Sequence, residues 1–141
     1  GELDYLILDL PPGTGDAQLT LAQSSKLSGS IIISTPQDVA LIDARKGINM
    51  FKKVNVPVLG IVENMSYFVC SKCLERHEIF SSGGAKKEAE KYGTPFLGEL
   101  PLDKNLRIYS DKGIPVCVSD PESAIAATYL SIAGKVHSHL H

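Results

Sequence analysis

What most constrains this chain is an alternation of short, unbroken apolar runs with stretches of helical spacing. Tyr5-Leu6-Ile7-Leu8, Ile31-Ile32-Ile33 and Val58-Leu59-Gly60-Ile61-Val62 contain no polar position. Each therefore reads as a strand buried on both faces of a parallel sheet. Phe96-Leu97-Gly98 reads as a shorter fourth strand. Between the runs, Ala17 to Lys26 has the makings of a helix. Leu41, Ala44, Ile48 and Phe51 then fall on one stripe of a long helix that ends before Asn55-Val56-Pro57. Ser82 is placed to cap a helix over residues 84–92, with Gly93 as its stop. Another helix is expected over residues 104–111, with Gly113 after it. Asp120-Pro121 reads as an N-cap and first helical residue, followed by the stripe Ile125, Tyr129, Ile132 and Val136.

Parallel strands need crossover connections, and right-handed helical crossovers cover both faces of the sheet. The expectation is an α/β fold, a three-layer sandwich around a mainly parallel sheet. A chain of 141 residues holds one such core, taken here as residues 1–136 with a flexible tail at 137–141. A core strand at the very first residues suggests the C-terminal part of a larger domain.

Charge and cysteine content narrow the partners. Fourteen Lys and Arg against sixteen Asp and Glu give a net charge of −2, so no nucleic-acid surface is expected. No apolar run approaches the roughly 18 residues of a membrane span. Three cysteines cannot make a disulfide framework, and their odd number points to a reducing compartment, such as the cytoplasm, or to a metal role.

Ligands of open α/β sheets collect beyond the carboxyl ends of the strands. Four segments fall there: Asp9–Asp16, Ser34–Asp38, Glu63–Ser66 and Pro101–Asp103. Asp9, the first carboxylate after a buried run, is poised to hold a water on Mg²⁺, or else to accept backbone N–H groups of the following turn. In Pro11-Pro12-Gly13-Thr14-Gly15-Asp16 the glycines let N–H groups turn toward an anion, and Asp16 either caps the next helix or orients a water. No G-x-x-x-x-G-K-[ST] or G-x-G-x-x-G pattern occurs. Asn64 offers both donor and acceptor to a base edge, or stabilises a turn. Asp38 suits the first turn of the long helix, and Asp43 with Arg45 and Lys46 reads as a solvated face or a subunit contact.

Cys70-Ser71-Lys72-Cys73 is the sharpest local signal. Two thiols at this spacing can face one metal, but a tetrahedral site needs four ligands. His77 with one further group, or the same pair from a second chain, would complete it. A redox dithiol is a third reading, although no helix clearly starts at Cys70. Cys117 reads as a small buried apolar residue.

Four motifs in order carry a family resemblance: residues 1–5, Asp9 to Thr20, Thr35 to Gly47 and Val62-Glu63-Asn64-Met65-Ser66. Together they resemble the Mrp/Nbp35 P-loop ATPases, iron–sulfur cluster carriers that include the mitochondrial Ind1-like members. The resemblance implies a MinD-like P-loop fold of which the Walker A loop is not among these residues, and ATP-dependent handling of a [4Fe–4S] cluster. It implies that Asp9 is the Walker B aspartate acting on Mg²⁺ through water, and that Pro11 to Asp16, with Gly13, is the loop that senses the γ-phosphate. By the same resemblance Asp9 and Asp16 carry the catalysis. Asn64, Pro101, Leu102 and Asp103 are similar to the adenine-side wall. Cys70 and Cys73 match the pair that, doubled in a homodimer or in a heterodimer with a relative, bridges one cluster destined for apo iron–sulfur acceptor proteins. Ind1-like membership would imply the mitochondrial matrix. The competing readings are a MinD/ParA-like regulatory ATPase without a cluster and a truncated, non-catalytic dimerisation or metal-binding domain.

Overall fold

The structure, a computed structural model, describes residues 1–11, 13 and 15–141. Its elements are α1 (Asp16–Ser24), β1 (Ser30–Ser34), α2 (Asp38–Lys53), β2 (Val58–Val69), β3 (Arg76–His77), α3 (Gly84–Tyr92), β4 (Phe96–Pro101), α4 (Lys104–Asp111), α5 (Val116–Ser119) and α6 (Ala124–Leu140). β2 lies between β1 and β4 and pairs parallel with both, Ile32 opposite Ile61 and Val62 opposite Gly98. The short β3 folds back antiparallel on the end of β2, with Phe68 opposite His77 and Val69 opposite Arg76.

Successive residues of a strand face opposite sides, and β2 uses this to hold two cores. Ile61 joins Ile32, Leu41, Ala44, Ile48, Phe51, Ala85 and Ala89 in a cluster roofed by α2 and α3. Val62, on the other face, joins Leu97 and Leu100 beneath Tyr129, Ile132 and Val136 of α6. The fold is therefore α/β in three layers with a mainly parallel sheet, as the alternation predicts. The expected stripe of α2 is the buried one, and each large side chain in it adds about 1.5–3 kcal/mol by leaving water. Asp38 in the first turn of α2 and Lys52 and Lys53 in its last complement the helix dipole. Gly60 is required by crowding: a Cβ there would lie 2.4 Å from Leu97 Cγ.

Several expectations are corrected. Tyr5–Leu8 forms no strand and pairs with none, and Leu6 and Ile7 are 74% and 88% exposed. An apolar run becomes a strand only where a neighbouring edge is available; this one pairs with none, and its Tyr5 meets the end of α6 instead. Leu10, just beyond it, packs against the α2 core. β2 runs on through the polar residues to Val69 instead of stopping at Val62, because β4 and β3 supply partners along its length. β4 likewise extends to Pro101. The cap of α6 is Ser123, whose hydroxyl accepts the Ala126 N–H at 3.2 Å, and not Asp120. Residues 137–140, expected as a flexible tail, form the last turn of α6; Tyr5 bonds His137 and His141 there. Arg45, taken for part of a solvated face, instead grips Glu88 of α3 through two hydrogen bonds of 2.8 and 2.7 Å. Pro12 and Thr14, within the expected phosphate-sensing loop, lie outside the described residues.

Candidate metal centre

The paired cysteines sit at the tip of the β2–β3 hairpin, directly after the last residue of β2. Cys70 accepts the Leu74 N–H at 2.8 Å and donates its own N–H to Glu75 at 2.9 Å, which closes the turn. Leu74 takes a left-handed φ of 60°, a conformation that costs a branched side chain about 1–2 kcal/mol, and the two turn bonds hold it there. The Cys70 thiol is held below its ordinary range. The chief cause is the Cys73 backbone N–H, followed by that of Lys72 and by the Cys73 thiol, against a smaller opposing effect of burial. Hydrogen bonds to sulfur favour the thiolate, which is the ligating form. Cys70 is half-buried and Cys73 exposed. Soft thiolates at this spacing on an accessible turn fit an iron–sulfur or zinc-class ion.

The root of the hairpin is tied down by a polar relay that sequence reasoning did not assign. Arg76 of β3 meets Glu99 of β4 at 3.1 Å, and its guanidinium stacks 3.8 Å over the Tyr67 ring. Ser66 Oγ lies 3.2 Å from Glu99 Oε2 and 2.6 Å from Glu63 Oε1. Glu63, fully buried, then accepts the N–H groups of Gly83 at 2.8 Å and Ala85 at 2.7 Å. It thereby serves the open N-terminus of α3 in place of a local capping side chain. Ser82 does not cap this helix; the N-cap is Gly83, at φ 74°. A carboxylate directly after the apolar run 58–62 is the signal that could have found it, since such a group is buried only when its hydrogen bonds are satisfied. The tip thus stands on a root fixed to two strands and a helix, the arrangement that keeps ligands oriented.

The residues expected around a nucleotide are only partly gathered. β2 and β4 are neighbours, and Tyr67 pairs with Pro101 and accepts the Leu102 N–H at 2.7 Å. Asn64 on β2 and Pro101, Leu102 and Asp103 at the end of β4 therefore belong to one region of the sheet. Asn64 Oδ1 accepts the Met65 N–H at 2.9 Å. Asp103 Oδ1 caps α4 by accepting the Leu106 N–H at 2.8 Å. Asp9 and Asp16 are exposed, Gly13 has a φ of 100°, and the Pro11 carbonyl accepts Gln18 Nε2 at 3.0 Å. Among the described residues no strand pairing links the Asp9 segment to the β2–β4 edge. Cys117 lies apart from the hairpin, its Sγ 3.9 Å from the Ala126 carbonyl between α5 and α6, as a half-buried packing residue.

The sequence profile of the NUBPL iron-transfer P-loop NTPases, within the ParA group, matches residues 1–137. The chain belongs to that family. The Escherichia coli K12 iron–sulfur cluster carrier protein is 56% identical over 140 residues, which is 99% of this chain and 38% of the relative. An Arabidopsis thaliana mitochondrial iron–sulfur protein required for NADH dehydrogenase is 54% identical, over 96% of this chain and 44% of its own length. The mouse iron–sulfur cluster transfer protein NUBPL is 53% identical, over 96% and 43%. This NUBPL-family chain thus spans about two-fifths of the curated relatives it matches. Among solved structures, an Archaeoglobus fulgidus nucleotide-binding protein in complex with ADP superposes with a TM-score of 0.74. It is 47% identical, with 87% of this chain and 49% of that one covered. The Pyrococcus furiosus cell-division ATPase MinD shares the fold, with a TM-score of 0.62 at 22% identity over 79% of this chain and 43% of its own. Among the described residues no helix is long and apolar enough to cross a membrane.

Proposed function

We propose that this NUBPL-family chain is the cluster-holding part of an iron–sulfur carrier. Cys70 and Cys73 of one copy, with the same pair of a second copy or of a relative, supply the thiolates for a [4Fe–4S] cargo shared across a two-fold axis. The observation that carries this reading is the hairpin itself, an accessible thiol pair on a rigid root with the Cys70 thiol held toward its ligating form. The names of the bacterial, plant and mouse relatives support the carrier role. An exposed tip suits hand-over to apo acceptor proteins, since an incoming thiolate can reach the cluster without the core opening. Thiolates survive in a reducing compartment, here the cytoplasm or the mitochondrial matrix.

Nucleotide dependence belongs to the same reading. Asp9 would act on a Mg²⁺-bound water, Asp16, Pro11 and Gly13 would sense the terminal phosphate, and Asn64 with Pro101, Leu102 and Asp103 would flank the base. An ATP triphosphate also needs a cradle of backbone N–H groups and a lysine, and no such pattern occurs in these 141 residues. The 141-residue chain alone is accordingly expected to release no phosphate from ATP. Turnover equal to that of a full-length relative would overturn the requirement for a lysine-bearing cradle opposite Asp9.

The test of the carrier role is anaerobic reconstitution with iron and sulfide, followed by subunit counting. The expected product is a dimer with the iron of one [4Fe–4S] cluster, lost in Cys70→Ser and in Cys73→Ser and retained in Cys117→Ser. Reconstitution should weaken in acid, as protons compete for the thiolates. Full iron on a strict monomer would overturn the shared site.

A further inference from the structure

We propose that Cys73, Glu75 and His77 form a mononuclear divalent-metal site on the outer face of the hairpin, one that a single chain can fill. The inference goes beyond the shared cluster and overlaps it only at Cys73. The Cys73 sulfur, a Glu75 carboxylate oxygen and a His77 ring nitrogen all lie within 4.8 Å of one another. Ligands around one tetrahedral ion with bonds of 2.0–2.3 Å stand roughly 3.3–3.8 Å apart. Closing the set therefore takes about an ångström of movement, which three exposed side chains make by rotation.

The backbone explains why these three meet. Glu75 and His77 are two apart where the chain enters β3, so they share a face, while Arg76 between them faces the other way. Arg76 is held on that opposite side by Glu99 and the Tyr67 ring, which keeps its positive charge off the ligand face. The left-handed turn at Leu74 brings Cys73 back over Glu75 and His77. His77 Nε2 already stands 3.8 Å from Glu75 Oε2, a gap that a cation would bridge.

One thiolate, one imidazole and one carboxylate make a borderline-soft set with a fourth position left for water. That is the donor chemistry of Zn²⁺ and of divalent iron or cobalt, and not of Mg²⁺ or Ca²⁺. Because Cys73 cannot serve both at once, an ion bound here and a cluster shared between chains exclude one another. The site would let a lone chain take up a divalent ion before any second chain arrives.

The experiment titrates the metal-free 141-residue chain with Co²⁺ alone, anaerobically and without sulfide. The readouts are the thiolate-to-cobalt charge-transfer band, the visible tetrahedral bands and sedimentation. One cobalt per chain on a monomer is expected. His77→Ala and Glu75→Gln should each weaken cobalt at least about tenfold and still yield the dimeric iron–sulfur product. Cys70→Ser should keep the cobalt and lose the cluster, and Cys73→Ser should lose both. Circular dichroism of each variant excludes unfolding as the cause, and two independent ligand variants guard against the failure of one. Cobalt shared by two chains, or dependent on Cys70 and indifferent to His77 and Glu75, would overturn the proposal. So would the absence of any thiolate-to-cobalt band. If the wild-type chain binds cobalt as described but forms no cluster, the carrier reading fails and this one stands.

Discussion

Two apolar runs of nearly the same character have opposite fates in this molecule. Ile31-Ile32-Ile33 lies in β1, paired along β2, with Ile32 in the core beneath α2. Tyr5-Leu6-Ile7-Leu8 is longer and nearly as apolar, yet it pairs with no strand and its Leu6 and Ile7 stand in solvent. The difference lies in what adjoins each run. β1 has β2 at its edge and α2 above it, whereas the first run pairs with no strand and touches α6 through Tyr5. Even β1 is only half satisfied, for Ile33 remains 59% exposed. A β-prone segment is a capacity, and tertiary neighbours decide whether it is used.

The largest expected effect widens this contrast. Ile48→Ala removes a fully buried side chain from the α2 core and should cost about 2–5 kcal/mol in urea unfolding. Ile7→Ala should change stability by less than about 0.5 kcal/mol. A comparable loss from both would mean that the first run is buried in solution and would break the comparison.

Next in size is the carboxylate that joins the hairpin root to the core. Glu63→Gln keeps the shape but replaces one acceptor oxygen with a donor facing the N–H groups of Gly83 and Ala85 or the Ser66 hydroxyl. A loss of about 1–3 kcal/mol is expected. Hydrogen exchange would sharpen the result by region. The amides of Ile61 and Val62 should be the slow ones, and those of residues 5–8 should exchange at nearly open-chain rates.

The smallest effect is a pH dependence. Glu88 is held below the usual carboxylate range, first by its hydrogen bonds to Arg45 and then by Arg45 and Lys91 charge, with burial opposing. Stability from a lowered carboxylate is present above its unfolded pKa and lost as pH falls through the folded value. The gap in melting temperature between the wild type and Glu88→Gln should therefore be open at neutral pH and close below about pH 4. A gap that widens in acid would show that the Arg45 pair is not its source.

Much of the candidate site was legible because it rests on local chemistry. A thiol pair three residues apart marks a candidate ligand pair wherever the turn occurs, whereas the Asp103 cap of α4 came only with the structure. Glu63 was harder. Its partners lie some twenty residues on, at the N-terminus of α3, and no spacing within the sequence joins them. The same holds for Arg76 with Glu99 and for Arg45 with Glu88.

The sequence by itself determined the α/β class, the buried stripe of α2, three of the four expected strands and their parallel sense. Those follow from periodicity and from the short reach of crossover connections, both local properties of a chain. The tertiary structure alone decided that β2 runs on to the cysteines, that Glu63 closes the start of α3, that Ser123 and not Asp120 begins α6, and that Tyr5–Leu8 stays unpaired. Each of these depends on which hydrogen-bonding group or sheet edge stands opposite, and that is fixed only when distant parts of the chain have packed.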